Sequence, residues 1–516
     1  MFDVPQNQSR KNLIYVLVSI FVISGFLFFV NKIGDKNKKE KLIGKKEIFT
    51  GAWTSLSKRK LPKWFSDAKF GIFIHWGIYS VPAYAPPIGK FGTIDWTTWF
   101  KNCPYAEWYY NTMNINGSKT QEYHKKNYGN MSYLDFIPMF NKGIENWSPS
   151  KMASIFSKVG AKYVVLTTKH HDGVTLWPSK IKNKYREGKP KISRDIVGEL
   201  SKHVKNNKMK MGLYYSGGAD WSFFYEPIIK KGQKKLPKTK EYLKYSLNQY
   251  NELIDKYNPD ILWNDLGYFD HPLTQKLFAK FYNKNPNGII NDRFTKKWFD
   301  FSTPEYSEEK TISKKKWESC RGLGYSFGYN KIENEKHTIK TNNLIKLLIS
   351  IISKNGNLLL NVGPNLNGEI PEIQLKPLLG LGKWLEFNKE SIFKTIPWKE
   401  NYLKSEENFD LHFVQKLKST KDEEENKKID IQDPDKNMNQ LYVFIFLKKS
   451  ILIKSNRIVS IPKDLLPEKK FFLNYKIYRI GFNKKKIEPF EETSNFYKFK
   501  IPNDVKNDIY TIRFSF

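Results

Sequence analysis

Residues 48–398 predict a (β/α)8 barrel, and residues 399–516 predict an antiparallel β-sandwich behind it. Three observations carry this expectation. Amphipathic helical stretches alternate with short apolar runs that end in polar residues, the pattern of parallel strands under right-handed crossovers. Seven or eight such units fill about 350 residues, and no Gly-rich dinucleotide fingerprint follows any strand, so a closed barrel fits better than an open doubly wound sheet. After Trp398 the helical signal stops and only short β-rich runs remain.

The elements follow in chain order. "FGIFIHWG" reads as the first strand. In "SPSKMASIFSKVGAKYVVLTTKHH", Ser148 can cap a helix, Pro149 suits its first position, and Met152, Ile155, Phe156 and Val159 form one stripe. Gly160 ends that helix and Tyr163–Thr168 reads as the next strand. A stripe of Ile196, Val197, Leu200 and Val204 precedes the strand "MGLYYSGG". Leu243, Leu247, Tyr250, Ile254 and Tyr257 precede "DILWND". Two further helices, "PLTQKLFAKFYNK" and "TNNLIKLLISIISK", lead into "GIIND" and "NLLLNVGP". Beyond 398, "QLYVFIFL", "RIVSIP", "FFLNYKIYRI", "FYKFKIP" and "DIYTIRFSF" are the candidate sandwich strands. The segment 418–440 between them is charged and nearly free of apolar residues, which predicts a disordered loop.

Residues 1–47 are of another kind. The run 13–30 is apolar apart from Ser19, Ser24 and Gly25, follows Arg10 and Lys11, and has the length to span a bilayer. Ile23 occupies the small-residue position that cleavage before Ser24 would need, so an uncleaved membrane anchor is expected over a removed signal peptide. The basic flank behind it opposes translocation and leaves orientation open. Sequons at Asn116, Asn130 and Asn146 agree with a glycosylated domain in the secretory route or at the cell exterior.

The formal net charge is +35, from 87 Lys and Arg against 52 Asp and Glu. The lysines are spread along the whole chain, which reads as a solvated surface and not as a nucleic-acid footprint. Two cysteines, Cys103 and Cys320, cannot build a disulfide framework or a zinc site; one bridge between them is open to the sequence, and two free buried thiols are expected over it.

A barrel of this kind builds its site at the C-terminal strand ends. Those ends carry His75–Trp76, His170–His171–Asp172, Tyr214–Tyr215–Ser216, Trp263–Asn264–Asp265, Asp292–Arg293 and Asn361, while "DFSTPEYS" puts Glu305 in a loop. The set suits a neutral polyol: flat rings for C–H faces and polar tips for hydroxyls. Singly, each residue has a structural reading. Paired histidines pack, Trp76 and Trp263 can cap the barrel, Asp265 can cap a helix, and a loop glutamate is commonly just solvated.

Together they resemble a known family. "KWFSDAKFGIFIHWGIYSVPAYA", "NCPYAEWYYN", "GAKYVVLTTKHHDGVTLW", "GLYYSGGADW", "PDILWNDLGY", "INDRF", "DFSTPEY", "RGLGYSFGYN" and "GNLLLNVGPNLNGEIP" resemble, in order, the family 29 glycoside hydrolases, the retaining α-L-fucosidases. The resemblance runs from about Phe49 to Trp398. It implies Asp265 as nucleophile and Glu305 as acid/base, with Glu107 as the rival for the second role. It implies His75, Glu107, Trp108, His170, His171 and Arg293 as holders of fucose hydroxyls and the nucleophile, and Phe73, Tyr214, Trp263 and Phe327 as the pocket for the C5 methyl. Fucosylated glycans are the implied substrates, with neither cofactor nor metal. Two other readings stand beside it: a lectin-like protein on an inactive barrel, and a metal-dependent hydrolase with His75, His170, His171 and Asp265 as ligands. The second lacks the HxH that such barrels carry after the first strand.

Overall fold

In a computed structural model of the 516-residue chain, the described residues are 49–224, 226–233, 235–405, 409–417, 438–448, 457–467, 476–480, 485–502 and 508–515. Seven parallel strands form the first sheet: β1 (Phe70–Ile74), β2 (Tyr163–Lys169), β3 (Lys210–Tyr215), β4 (Ile261–Asn264), β5 (Ile289–Ile290), β6 (Trp317–Gly322) and β7 (Gly356–Val362). Their order is β5-β4-β3-β2-β1-β7-β6. Every residue of β1, β2, β4, β5 and β7 is buried, as expected of strands covered on both faces.

The crossover helices fall where the stripes predict them. Pro149–Lys158 precedes β2, Ile196–Asn206 precedes β3, Lys240–Tyr257 precedes β4, Pro272–Lys284 precedes β5, and Thr341–Ile352 precedes β7. The Ser148 hydroxyl accepts the Lys151 amide at 3.3 Å with Pro149 behind it, and Asp195 and Thr239 cap the next two helices in the same way.

Two differences from expectation concern the strands. β6 has no apolar run: "WESCRG" buries Glu318 and Ser319 outright, and only its partners make that affordable. Second, the sheet has seven laddered strands, not eight. Between β5 and β6 no helix intervenes; Phe301, Ser302 and Glu305 make single parallel bridges to Asn291, Trp317 and Cys320. Short stretches interrupted by Pro304, which has no amide hydrogen to give, cannot build a full ladder there.

Downstream lie two antiparallel sheets. One orders β13 (Lys485–Lys486), β12 (Lys476–Ile480), β16 (Ile509–Ser515), β10 (Met438–Leu447), β9 (Phe409–Leu417) and β8 (Ile396–Lys404); the other orders β11 (Ile458–Pro462), β15 (Phe496–Lys500) and β14 (Glu491–Glu492). Their inward residues form a core that includes Trp398, Phe413, Val443, Phe499 and Ile512. The expected boundary at 398 therefore falls inside β8, because Trp398 packs with the C-terminal sheets. Residues 418–437 of the expected loop lie outside the described residues, but 438–440 open β10, where Met438 pairs with Leu417 and Gln440 with Ser515. Residues 13–30 and the boundary at 47 also lie outside the described residues. Among the described residues no helix is long and apolar enough to cross a membrane. Cys103 and Cys320 are buried and free.

Candidate active site

All twelve singled-out residues, Phe73, His75, Glu107, Trp108, His170, His171, Tyr214, Trp263, Asp265, Arg293, Glu305 and Phe327, line one cavity of about 250 Å³. That is below the roughly 300–1,000 Å³ of pockets for drug-sized ligands and suits a single sugar ring. They converge because β1 to β4 end side by side and the 291–305 segment and the loop after β6 fold over the same end.

Asp265 follows β4 directly. Its Oδ1 accepts from Arg293 Nη1 at 2.7 Å and from the Leu266 amide at 2.8 Å, and its Oδ2 accepts from the Tyr214 hydroxyl at 2.8 Å. Burial pushes this carboxyl up, but the Arg293 charge and the bonds from Arg293 and Tyr214 outweigh it and hold the group below its ordinary value. Glu305 sits on the other arm of the same guanidinium, 3.4 Å from Arg293 Nη2, and accepts from the Tyr105 hydroxyl at 3.0 Å. Burial raises its pKa, Arg293 opposes this, and the Asp265 charge reinforces it; the outcome is a carboxyl raised above its ordinary value. One arginine thus touches two carboxyl groups driven in opposite directions. The residue after each has a left-handed backbone, Leu266 at φ 59° and Tyr306 at φ 49°, which non-glycine residues adopt at a cost of about 1–3 kcal/mol and typically at functional sites.

Glu107 lies deeper. Its Oε2 accepts from the Gly328 amide at 2.7 Å and from Ser326 Oγ at 3.3 Å, and burial raises its pKa to about 7. The histidines answer why two of them stand together at the end of β2. Asn361 gives its amide hydrogen to the Phe327 carbonyl, so its Oδ1 must accept from His75 Nδ1 at 2.7 Å. Ser216 spends its hydroxyl hydrogen on the Ala219 carbonyl and therefore accepts from His171 Nδ1 at 2.6 Å. Both rings keep Nε2 as an acceptor, and burial keeps both neutral: His75 falls to about 4 and His171 well below its ordinary value. His171 Nε2 stands 3.9 Å from Asp265 Oδ2. His170 Nδ1 is buried without a partner among the described residues.

Arg293 argues against the metal reading. A guanidinium already bonded to Asp265 opposes a second cation beside that carboxylate. One wall is apolar. Phe73 meets Trp263, Tyr214 and Phe327 with ring centroids 4.9, 5.7 and 6.4 Å apart. Trp108 meets His171 edge-on at 5.5 Å.

Sequence reasoning missed the supports. Ser216 and Asn361 stood among the strand-end residues, but their hold on the histidines was not read; Tyr105, which holds Glu305, and Glu318, which accepts from Tyr163 at 2.6 Å and Trp263 at 3.0 Å, were missed outright. Lys169 and Asp220, both fully buried and 2.6 Å apart, brace the end of β2. The outer wall of Phe91, Trp96, Lys231 and Lys235 was missed too.

Comparisons with known proteins agree on one direction. Residues 37–390 match the family model for alpha-L-fucosidase. An alpha-L-fucosidase of Dictyostelium discoideum is 35% identical over 371 residues, covering 69% of this chain and 76% of that protein. The tissue alpha-L-fucosidase of Rattus norvegicus is 33% identical over 366 residues, covering 68% and 74%. A Thermotoga maritima alpha-fucosidase solved in complex with a mechanism-based inhibitor superposes with a TM-score of 0.76 at 36% identity, covering 91% of this chain and all of that one.

Proposed function

The chain belongs to the alpha-L-fucosidase family, and from that premise we propose that it is a retaining exo-glycosidase removing α-L-fucose from glycans, with Asp265 as nucleophile and Glu305 as acid/base. The observation that carries this reading is the shared guanidinium: Arg293 contacts both carboxyls, and their surroundings favour an ionised Asp265 and a protonated Glu305. A retaining mechanism needs that division of labour. Asp265 attacks the anomeric carbon while Glu305 gives its proton to the departing oxygen. Glu305, now ionised, then takes a proton from the water that hydrolyses the fucosyl–aspartate ester.

Glu107 is the weaker acid/base. One of its oxygens is committed to the Gly328 amide and Ser326, whereas Glu305 is part-exposed towards the cavity mouth where a leaving group departs. Neutral His75, His170 and His171 suit the sugar hydroxyls, and the Phe73–Tyr214–Trp263–Phe327 wall suits the methyl group. The 301–305 segment, bridged to both sheet edges, serves as the eighth stave of a closed barrel. Asn116, Asn130 and Asn146 are exposed, which leaves room for glycans, and with residues 13–30 this supports passage through the secretory route. Partition of the full chain into the aqueous phase with residues 1–30 retained would reject the anchor.

The test is hydrolysis of an aryl α-L-fucoside, following the first-formed sugar by NMR. Retention releases α-L-fucose first; a β-anomer first, or binding without turnover, refutes the reading.

A further inference from the structure

The cavity changes character from floor to mouth. His75, Glu107 and His170 are buried, Phe91, Trp96 and Lys235 are half-buried, and Lys231 is exposed. The mouth lies on the leaving-group side, because Phe91 stacks on Tyr105 at 6.4 Å and Tyr105 holds Glu305. Phe91 and Trp96 meet edge-on at 5.4 Å. Lys231 Nζ lies 4.5 Å from the Trp96 ring centre and Lys235 Nζ 5.3 Å from that of Trp108.

Among the described residues these two ammonium groups stack on rings and form no ion pair with a carboxylate. The carboxyls whose fields reach Lys235 are Asp265 and Glu305. In the working form Arg293 offsets Asp265 and Glu305 carries a proton, so the mouth keeps two uncompensated positive charges beside an aromatic shelf.

Resting on the fucosidase reading, we infer that the site prefers fucosides whose neighbouring sugar carries an anionic group, a sulfate ester or a carboxylate. That sugar lies against Phe91 and Trp96, and Lys231 and Lys235 take its charge. A neutral leaving sugar gains the shelf but not the charges.

The test compares fucosyl-galactose, its 6-O-sulfate on galactose, and fucosyl-galacturonic acid, all with one linkage. Each exposed ion pair contributes a few-fold, so kcat/KM for an anionic substrate should exceed the neutral one by about tenfold at low salt. The gap should close near 1 M salt, where the screening length shortens to about 3 Å. In Lys231→Gln/Lys235→Gln the ratio of anionic to neutral kcat/KM should fall to about one. Preference for the sulfate alone or the carboxylate alone supports the inference and identifies the group. Equal kcat/KM for all three substrates in the unaltered protein overturns it, as does a preference that survives both high salt and the double variant. Failure to turn over even an aryl α-L-fucoside would instead sink the fucosidase reading on which it rests.

Discussion

Restoring one oxygen to the sugar tests the apolar wall directly. L-Galactose is L-fucose with a hydroxyl on C6, so an aryl α-L-galactoside presents that hydroxyl to Phe73, Tyr214, Trp263 and Phe327, whose exposures are 1%, 1%, 1% and 4%. All four offer ring faces or edges, and the two polar hydrogens on the wall are already bonded. Tyr214 donates to Asp265 at 2.8 Å and Trp263 Nε1 donates to Glu318 at 3.0 Å. The added hydroxyl must leave water without a partner or draw Tyr214 off Asp265. An unpartnered hydroxyl costs about 1–3 kcal/mol, and at about 1.4 kcal/mol per decade this is roughly 5- to 150-fold in kcat/KM. The assay uses the same aryl group on both sugars, so leaving-group chemistry cancels. Equal kcat/KM for the two would refute the methyl pocket.

Glu305→Ala should lose about 10²–10⁴ in rate on a natural disaccharide while the first step on an activated aryl fucoside survives, since that leaving group needs little protonation; this pattern in Glu107→Ala instead transfers the role. The pH profile follows from the same groups. As the proposed acid, Glu305 would work protonated, and its pKa is raised above the ordinary value, so disaccharide turnover should persist above the usual carboxylate range and fall as pH rises through the folded-state value, a limb absent from Glu305→Ala acting on the activated substrate. Gly218→Ala should cut activity with the fold retained by circular dichroism. Its Cβ would collide with the Leu266 carbonyl, and the Gly218 amide donates to the Asp265 carbonyl at 2.8 Å. Glu318→Leu orphans the Tyr163 and Trp263 donors and should cost about 1–3 kcal/mol per orphaned donor in urea unfolding, whereas Glu318→Gln, which keeps an acceptor, should cost less.

The strand ends were legible because the apolar-to-polar switch marks where each buried run stops, as in "YVVLTTKHH" and "DILWND". The helices were legible from stripe and cap, as with Ser148 and Pro149. β6 was not, because "WESCRG" earns its burial from Tyr163 and Trp263, which lie 155 and 55 residues away in the chain. Glu305 could be read as a residue type in a loop, but its position depends on the lone bridge to Cys320 and on Tyr105, 200 residues upstream. The lysines at the mouth were lost among 87 basic residues, since nothing local separates Lys231 and Lys235 from solvated ones.

Asp265→Gly with azide tests the central claim most directly. With the carboxylate gone no fucosyl–aspartate can form, so turnover even of an activated aryl α-L-fucoside should collapse. Azide entering the vacated space beside Arg293 and Tyr214 should restore rate by direct displacement and yield β-L-fucosyl azide. An α-configured azide, or hydrolysis at the unaltered rate without azide, would show that Asp265 is not the nucleophile.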